Sequence, residues 1–324
     1  MDQKLSEITP GVLRSISSNP IPEGAVAGFV ETPDGAKIRY ANWSSLVSPS
    51  KGTVIIVNGR AEFIEKYFET VQNLRESGFG VLTFDWRGQG LSSRLLADPR
   101  KGYVDDFDQY LVDFETILDE VALPDCRAPF FVLGHSTGSL VALLAAPRAT
   151  NRIRRMVLTA PLLALNSLPF SQDNLRRLTG FLKAVGLGEL YVRSAKAPME
   201  TRPFVGNRLT SDTERFQRNG DLVRAHPDLA LGAPTAGWIY ASCKAMDMAW
   251  DPEFMASVTI PTLLVSAGND RVVSRDAIEK YGQELRSGAY LTIDGAKHEM
   301  MQERDVFRQQ LLSAFDAFVP GTEV

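Results

Sequence analysis

Gly134-His135-Ser136-Thr137-Gly138 reads GxSxG, a run whose residue types suit a nucleophilic serine. A hydroxyl attacks well only when a base takes its proton and an acid holds that base in place, so the serine implies a histidine and a carboxylate elsewhere in the chain. The bare motif is weak, since composition alone produces it in a chain of this length with a probability of about 0.1. Its surroundings carry the argument. Residues 130–133 form an apolar run of buried-strand character that ends at Gly134, and residues 140–146 form an apolar helical stretch that begins just after Gly138. A tight strand-to-helix turn holds such a serine strained at the strand tip, and the small flanking glycines remove clashes. A serine that merely caps the helix is the plain alternative.

The chain has 3 histidines, so the base can be sought by elimination. His135 adjoins the serine and is expected to project away from it, and His226 precedes Pro227 in a region without strand-helix alternation. His298 remains, in the loop Gly295-Ala296-Lys297-His298 after the last strand-like run. On a nucleophile elbow the triad runs in chain order serine, acid, histidine. Asp270, in Gly268-Asn269-Asp270-Arg271-Val272-Val273 at the tip of the run 263–266, occupies that place; Asp276 inside the next helix and Asp294 beside the last strand are weaker candidates. The oxygen that becomes negative during attack needs two backbone N–H donors. Thr137, at a helix amino terminus, is one, and the loop Asn58-Gly59-Arg60-Ala61-Glu62 supplies the other, most simply through Arg60. Asp85-Trp86-Arg87-Gly88-Gln89-Gly90 follows another strand tip, lacks phosphate-loop spacing, and reads as a loop that braces the site.

The elements that must carry these residues are visible as a change of pattern. After an arm with Pro10, Pro20 and Pro22, a hairpin runs over 28–32 and 36–43 around Asp34-Gly35. Apolar runs without polar alternation then occur at 53–57, 81–84, 130–133 and 156–158, separated by segments of helical period at 63–77, 104–121 and 139–149. Runs of that kind are parallel strands covered on both faces, and strand-helix alternation implies right-handed crossovers. The alternation stops after Ala160-Pro161, resumes at 262–266, and ends with a strand at 290–293 and a helix from Met300 to Phe318. The expectation is an α/β protein with a mostly parallel sheet, helices on both faces and a helical cap inserted after the sixth strand. The corresponding division is an arm at 1–27, a core at 28–160 and 251–324, and the cap at 161–250.

Composition narrows the class. With 324 residues, 44% hydrophobic content and a net charge of −4, the chain buries a large core and lacks the clustered basic excess that nucleic acid requires. The longest apolar run is far short of a membrane span, and the amino terminus has acids where a signal peptide has an apolar stretch, so a cytoplasmic protein is expected, with peripheral membrane contact left open. Cys126 and Cys243 fit no zinc or redox spacing and read as separate thiols; neither a metal nor a cofactor is implied.

GHSTG, DWRGQGLS, GNDRVV and GAKHE, in this order, resemble the serine α/β-hydrolases of the monoglyceride lipase and bacterial lysophospholipase family. Within the insertion, Asn207-Arg208-Leu209-Thr210-Ser211, Pro227-Asp228-Leu229 and Gly232-Ala233-Pro234-Thr235 with Trp238 are similar to cap motifs of the lysophospholipase branch. The resemblance spans about residues 25–316. It implies cofactor-free hydrolysis of a single-chain acyl ester, a monoacylglycerol or lysophospholipid, by Ser136, Asp270 and His298. Three departures stand out: Asn58-Gly59 where the family often has His-Gly, HSTGS where it often has HSMGG, and RGQG where it often has RGHG.

Residues 161–250 carry eleven Lys and Arg against eight Asp and Glu, a net +3 that leaves −7 for the rest of the chain. That contrast suits an anionic head group or simply a solvated face. Phe170, Phe204, Trp238 and Tyr240 are candidates to line an acyl channel, the alternative being cap core. Acyl transfer, thioester or peptide hydrolysis would use the same triad, and a catalytically silent ligand-binding protein would share the fold.

Overall fold

The computed structural model describes residues 12–166, 171–192 and 201–319. Eight strands form one sheet: β1 (Val26–Glu31), β2 (Lys37–Trp43), β3 (Thr53–Val57), β4 (Gly80–Phe84), β5 (Phe130–His135), β6 (Ile153–Thr159), β7 (Thr262–Ala267) and β8 (Gly288–Ile293), in the order β1-β2-β4-β3-β5-β6-β7-β8. β2 pairs antiparallel with β1 and with β4, and all other pairings are parallel. β3, β4, β5 and β7 are buried along their whole length, which is why they read as continuous apolar runs. β8 is largely exposed along one edge.

The helices are α1 (Phe68–Glu76), α2 (Asp108–Ile117), α3 (Leu123–Asp125), α4 (Thr137–Ala149), α5 (Gln172–Ala184), α6 (Thr213–Ala225), α7 (Ala236–Ala249), α8 (Pro252–Ser257), α9 (Arg275–Glu284) and α10 (Asp305–Phe318). A wide π-turn over Leu118–Ala122 joins α2 to α3. The strand order reverses direction after β4, so right-handed crossovers place α1 on one face and α2, α4 and α9 on the other. α10 returns beside α1: Phe79 and Phe315 meet edge to face at 5.7 Å, and Arg308 Nη2 donates to Thr70 Oγ1 at 3.3 Å.

Three helix boundaries differ from the sequence expectation. The 63–77 segment opens with a 3-10 turn, Ile64–Tyr67, before α1. The 104–121 segment becomes helical only at Asp108. Met300–Gln302 is a separate 3-10 turn, and α10 starts at Asp305, because the buried Glu303 carboxylate binds the N–H groups of Lys297, Ser211 and Arg304 and anchors the chain there.

Between β6 and β7 the chain leaves the sheet for α5, α6, α7 and α8. α7 nonetheless packs on α4, and its Trp238, Ala241, Cys243 and Met246 belong to the same hydrophobic core as the strands. The chain before β1 also touches the body: Arg14 N donates to Glu65 Oε1 at 2.9 Å and Asn19 Nδ2 to Glu65 O at 2.9 Å. Cys126 and Cys243 are unbridged, and burial pushes both thiols up to about 12. Among the described residues no helix is long and apolar enough to cross a membrane.

Candidate active site

β5 ends at His135 and α4 begins at Thr137, so Ser136 alone makes the turn, at φ 50° and ψ −113°. That conformation is rare for a residue with a Cβ and persists only where its surroundings enforce it. The two glycines of the motif make the enforcement sterically feasible. A Cβ at Gly138 would lie 2.3 Å from Val57 O and 2.5 Å from Asn58 O; one at Gly134 would lie 2.8 Å from Ser139 Oγ. The turn can therefore press against β3 and α4 only without side chains at those positions.

The loops after β7 and β8 reach the same end of the sheet. His298 Nε2 lies 3.1 Å from Ser136 Oγ, and its Nδ1 lies 2.7 Å from Asp270 Oδ2. Asp270 Oδ1 accepts from Val272 N at 2.7 Å and Val273 N at 3.0 Å, and Asn166 Nδ2 holds the Asp270 carbonyl at 2.8 Å. Burial opposes a charge on either partner, but the pair overcomes it: Asp270 is held below the usual carboxylate range by His298 and the two N–H groups, and His298 is raised above the ordinary imidazole value by Asp270. Asp276 and Asp294 make no contact of this kind. The three predicted side chains thus form one hydrogen-bonded chain.

His135 does not turn its back on the site, as the sequence reading expects. Its ring centroid lies 4.8 Å from that of His298, its Nδ1 lies 3.2 Å from Thr159 Oγ1, and it lines the cavity. Burial pushes its pKa down to about 4, so it stays neutral beside His298. His226 is remote, with Nε2 3.1 Å from Ser15 O.

Thr137 and Arg60 both line the cavity at Ser136. The loop that carries Arg60 is fixed by two of the residues that depart from the family pattern, and they touch each other. Gln89 Nε2 donates to Gly59 O at 2.8 Å, Glu62 O at 3.1 Å and Asn58 Oδ1 at 3.2 Å, while its Oε1 accepts from Ala61 N at 3.2 Å. Asn58 Nδ2 in turn donates to Phe84 O at 2.7 Å. The Arg60 guanidinium reaches outward instead, donating to Gly232 O and lying 5.4 Å from the Trp238 ring. The 85–90 loop braces this region as predicted: Asp85 accepts from Arg39, Ile64 N and Leu91 N, and Arg87 is paired with Asp113 and Asp34.

Of the four aromatic candidates, Trp238 lines the cavity and donates its indole N–H to Tyr110 Oη at 3.1 Å. Phe204 and Tyr240 do not line it. Phe204 packs edge to face on Phe216 at 5.4 Å, and Tyr240 lies against Gly180 of α5 under the Lys183 ammonium. Both are used to hold the insertion together, which is the core alternative. Phe170 lies outside the described residues. The apolar lining comes largely from aliphatic side chains that the sequence reading did not single out, including Leu162, Leu175, Leu209, Leu231 and Ile239, around a cavity of about 920 Å³.

A buried ionic group beside the Ser136–His298–Asp270 chain also escaped the sequence reading. Lys66 Nζ binds Glu62 Oε1 at 2.9 Å and Glu299 Oε1 at 2.7 Å, and Glu62 Oε2 accepts from Gly59 N and Tyr67 Oη. Burial would raise the Glu62 pKa, but the Lys66 ammonium more than offsets it and keeps the carboxylate ionised. This group joins the loop after β3 to the residue following His298. Among the described residues no set of three or more His, Cys, Asp or Glu is grouped to hold a metal ion.

Named relatives match most of the chain in sequence. The chain is 28% identical over 283 residues to a probable lysophospholipase L2 of Haemophilus influenzae, covering 87% of this chain and 88% of the relative. It is 30% identical over 285 residues to lysophospholipase L2 of Escherichia coli, covering 82% and 79%. A monoglyceride lipase from Saccharomyces cerevisiae, solved with a substrate analog, superposes with a TM-score of 0.71 at 19% identity over 94% of this chain and 96% of that one, a likeness of fold. A family model described as serine aminopeptidase, S33, matches residues 48–305, and the chain belongs to that hydrolase family.

Proposed function

We propose that the protein hydrolyses carboxylic esters of single-chain lipids, a lysophospholipid or a monoacylglycerol, through a covalent acyl-enzyme. The observation that carries this reading is the unbroken chain from Asp270 through His298 to Ser136 Oγ, opening into a largely apolar cavity. Ser136 attacks the ester carbonyl as His298 Nε2 takes its proton. Asp270 holds the imidazole in the tautomer that presents Nε2 and stabilises the imidazolium. The N–H groups of Arg60 and Thr137 receive the oxyanion, with Thr137 at the positive end of α4. His298 then passes its proton to the leaving alcohol, and water repeats the sequence to free the acid.

The lysophospholipase L2 relatives support the lipid class, and the aliphatic lining supports an acyl chain. The family description names an aminopeptidase, which must hold a free amino terminus. The carboxylates among the described cavity residues, Glu62 and Glu299, are both occupied by Lys66, which favours the ester. Residues 161–250 act as a cap over the 28–160 and 251–324 core. On and just after α5, Leu178, Phe181 and Val185 form an exposed row at helical spacing beside the face that buries Leu175 and Thr179, which supports contact of this segment with the lipid surface that delivers substrate.

Ser136→Ala is expected to abolish p-nitrophenyl ester turnover and labelling by a fluorophosphonate probe, with the melting temperature nearly unchanged. Retained turnover in that variant would sink the proposal. Product analysis with added alcohol or thiol acceptors separates hydrolysis from acyl transfer.

A further inference from the structure

Charge is unevenly distributed around the cavity. The carboxylates of Glu62 and Glu299 are buried and both are engaged by the Lys66 ammonium, so neither offers a free acceptor to a ligand cation. Among the described residues, the other charged groups that line the cavity are arginines: Arg60, Arg202, Arg208 and Arg271. Arg208 and Arg271 are exposed, and among the described residues neither takes part in an ion pair.

Backbone connections tie these two arginines to the reacting groups. Arg271 follows Asp270, whose carboxylate is fixed by the next two N–H groups, Val272 and Val273. Arg208 precedes Leu209, whose carbonyl accepts from Glu299 N at 2.8 Å, and Glu299 follows His298. The turn bearing Arg208 is held from within and from below: Asn207 Oδ1 accepts from Leu209 N and Thr210 N, and Lys297 Nζ reaches the Asn207 and Thr210 carbonyls at 3.2 and 3.1 Å. One arginine therefore flanks the acid loop and the other is pinned to the histidine loop, at the exposed side of one cavity.

We propose that Arg208 and Arg271 receive the phosphate of the substrate head group, so that the protein prefers single-chain esters with a net negative head group over zwitterionic or uncharged ones of equal chain length. This rests on the ester-hydrolase reading above. Guanidinium groups match phosphate oxygens in charge and geometry. A zwitterionic head group brings an ammonium to the same arginines, and the described lining carboxylates are already engaged by Lys66; a bare glycerol gains nothing from either arginine. A charge-assisted hydrogen bond at a half-exposed site is worth about tenfold in kcat/KM, and salt weakens it.

The test uses the full chain with short-chain lysophosphatidylglycerol, lysophosphatidylcholine and monoacylglycerol of one acyl length, all kept below their micelle concentrations so that no lipid surface is present. The expected wild-type order of kcat/KM places lysophosphatidylglycerol first, about a hundredfold ahead of monoacylglycerol at about tenfold per arginine. In Arg208→Gln and Arg271→Gln, the ratio of kcat/KM for lysophosphatidylglycerol to that for monoacylglycerol falls by about tenfold each, and added salt lowers the wild-type ratio. sn-Glycerol 3-phosphate inhibits the wild type competitively and the double variant more weakly. A flat head-group profile, a preference that appears only above the micelle concentration, or ratios that the variants do not change overturns this proposal while Ser136→Ala still abolishes turnover. If Ser136→Ala leaves turnover intact, the hydrolase reading itself fails.

Discussion

At Ser136 the backbone stores strain that the fold holds in place, and the strain can be measured. Replacement by glycine, which tolerates φ 50°, is expected to leave a protein more stable than the Ser136→Ala variant by about 1–2 kcal/mol, read from chemical denaturation. Both variants lack the proposed nucleophile. The imidazole gives a second expectation. Only its neutral form can accept the serine proton, and its pKa is raised by Asp270, so kcat/KM should climb with pH through a midpoint above the ordinary value of 6.5. Asp270→Asn removes the carboxylate that raises it; the acid limb should move to lower pH and kcat should fall about 10⁴-fold, which a pH-rate profile of the two proteins checks. The hydrogen-bonded set of Ser136, His298 and Asp270 was legible because three histidines permit elimination and because chain order restricts the acid. Glu62, Lys66 and Glu299 were not, since charged residues are usually exposed and no spacing announces a buried group of them. The same applies to Gln89, whose four bonds join segments distant in sequence.

Among the elements, β3, β4, β5 and β7 were readable to within a few residues, because burial on both faces writes itself as uninterrupted apolar runs. Helix starts were less so. The opening of α10 depends on where the Glu303 carboxylate anchors the chain, a tertiary bond that periodicity cannot encode. The loop after β3 illustrates the cooperation of elements: Asn58 and Gln89, both departures from the family pattern, hold one another and the backbone around Arg60. Gln89→Ala is expected to lower kcat by about tenfold to a hundredfold by loosening that loop. A double-mutant cycle with Asn58→Ala should be non-additive, the pair costing less than the sum; additive losses would show the two residues to act separately. On α5, Leu178→Asp with Phe181→Asp should reduce cosedimentation with phospholipid vesicles by at least tenfold while circular dichroism is preserved.

For the molecule as a whole, the insertion is bolted to the core by charge as well as by apolar packing. Glu69 on α1 accepts from Arg215 at 2.9 Å and from Arg218 at 2.8 Å, both on α6, so one carboxylate spans insertion and core. Burial opposes its ionisation, but these arginines hold its pKa down to about 2. The folded value lies below the unfolded one, so its stabilisation is present above about pH 4.5 and disappears as pH falls toward 2. Glu69→Gln should therefore cost about 2 kcal/mol at pH 7 and progressively less in acid, seen as melting curves that converge at low pH. That the chain leaves the sheet after β6 was legible from the break in alternation after Ala160. What the pattern concealed is that α7, near the end of that interval, is packed into the central core through Met246 and its neighbours. This has a consequence for protein engineering. A chimera that borrows a relative's specificity should splice at Ala160 and Thr235 and keep α7 as a host element, because a donor segment running on to residue 250 would bring a foreign buried surface into the centre of the recipient.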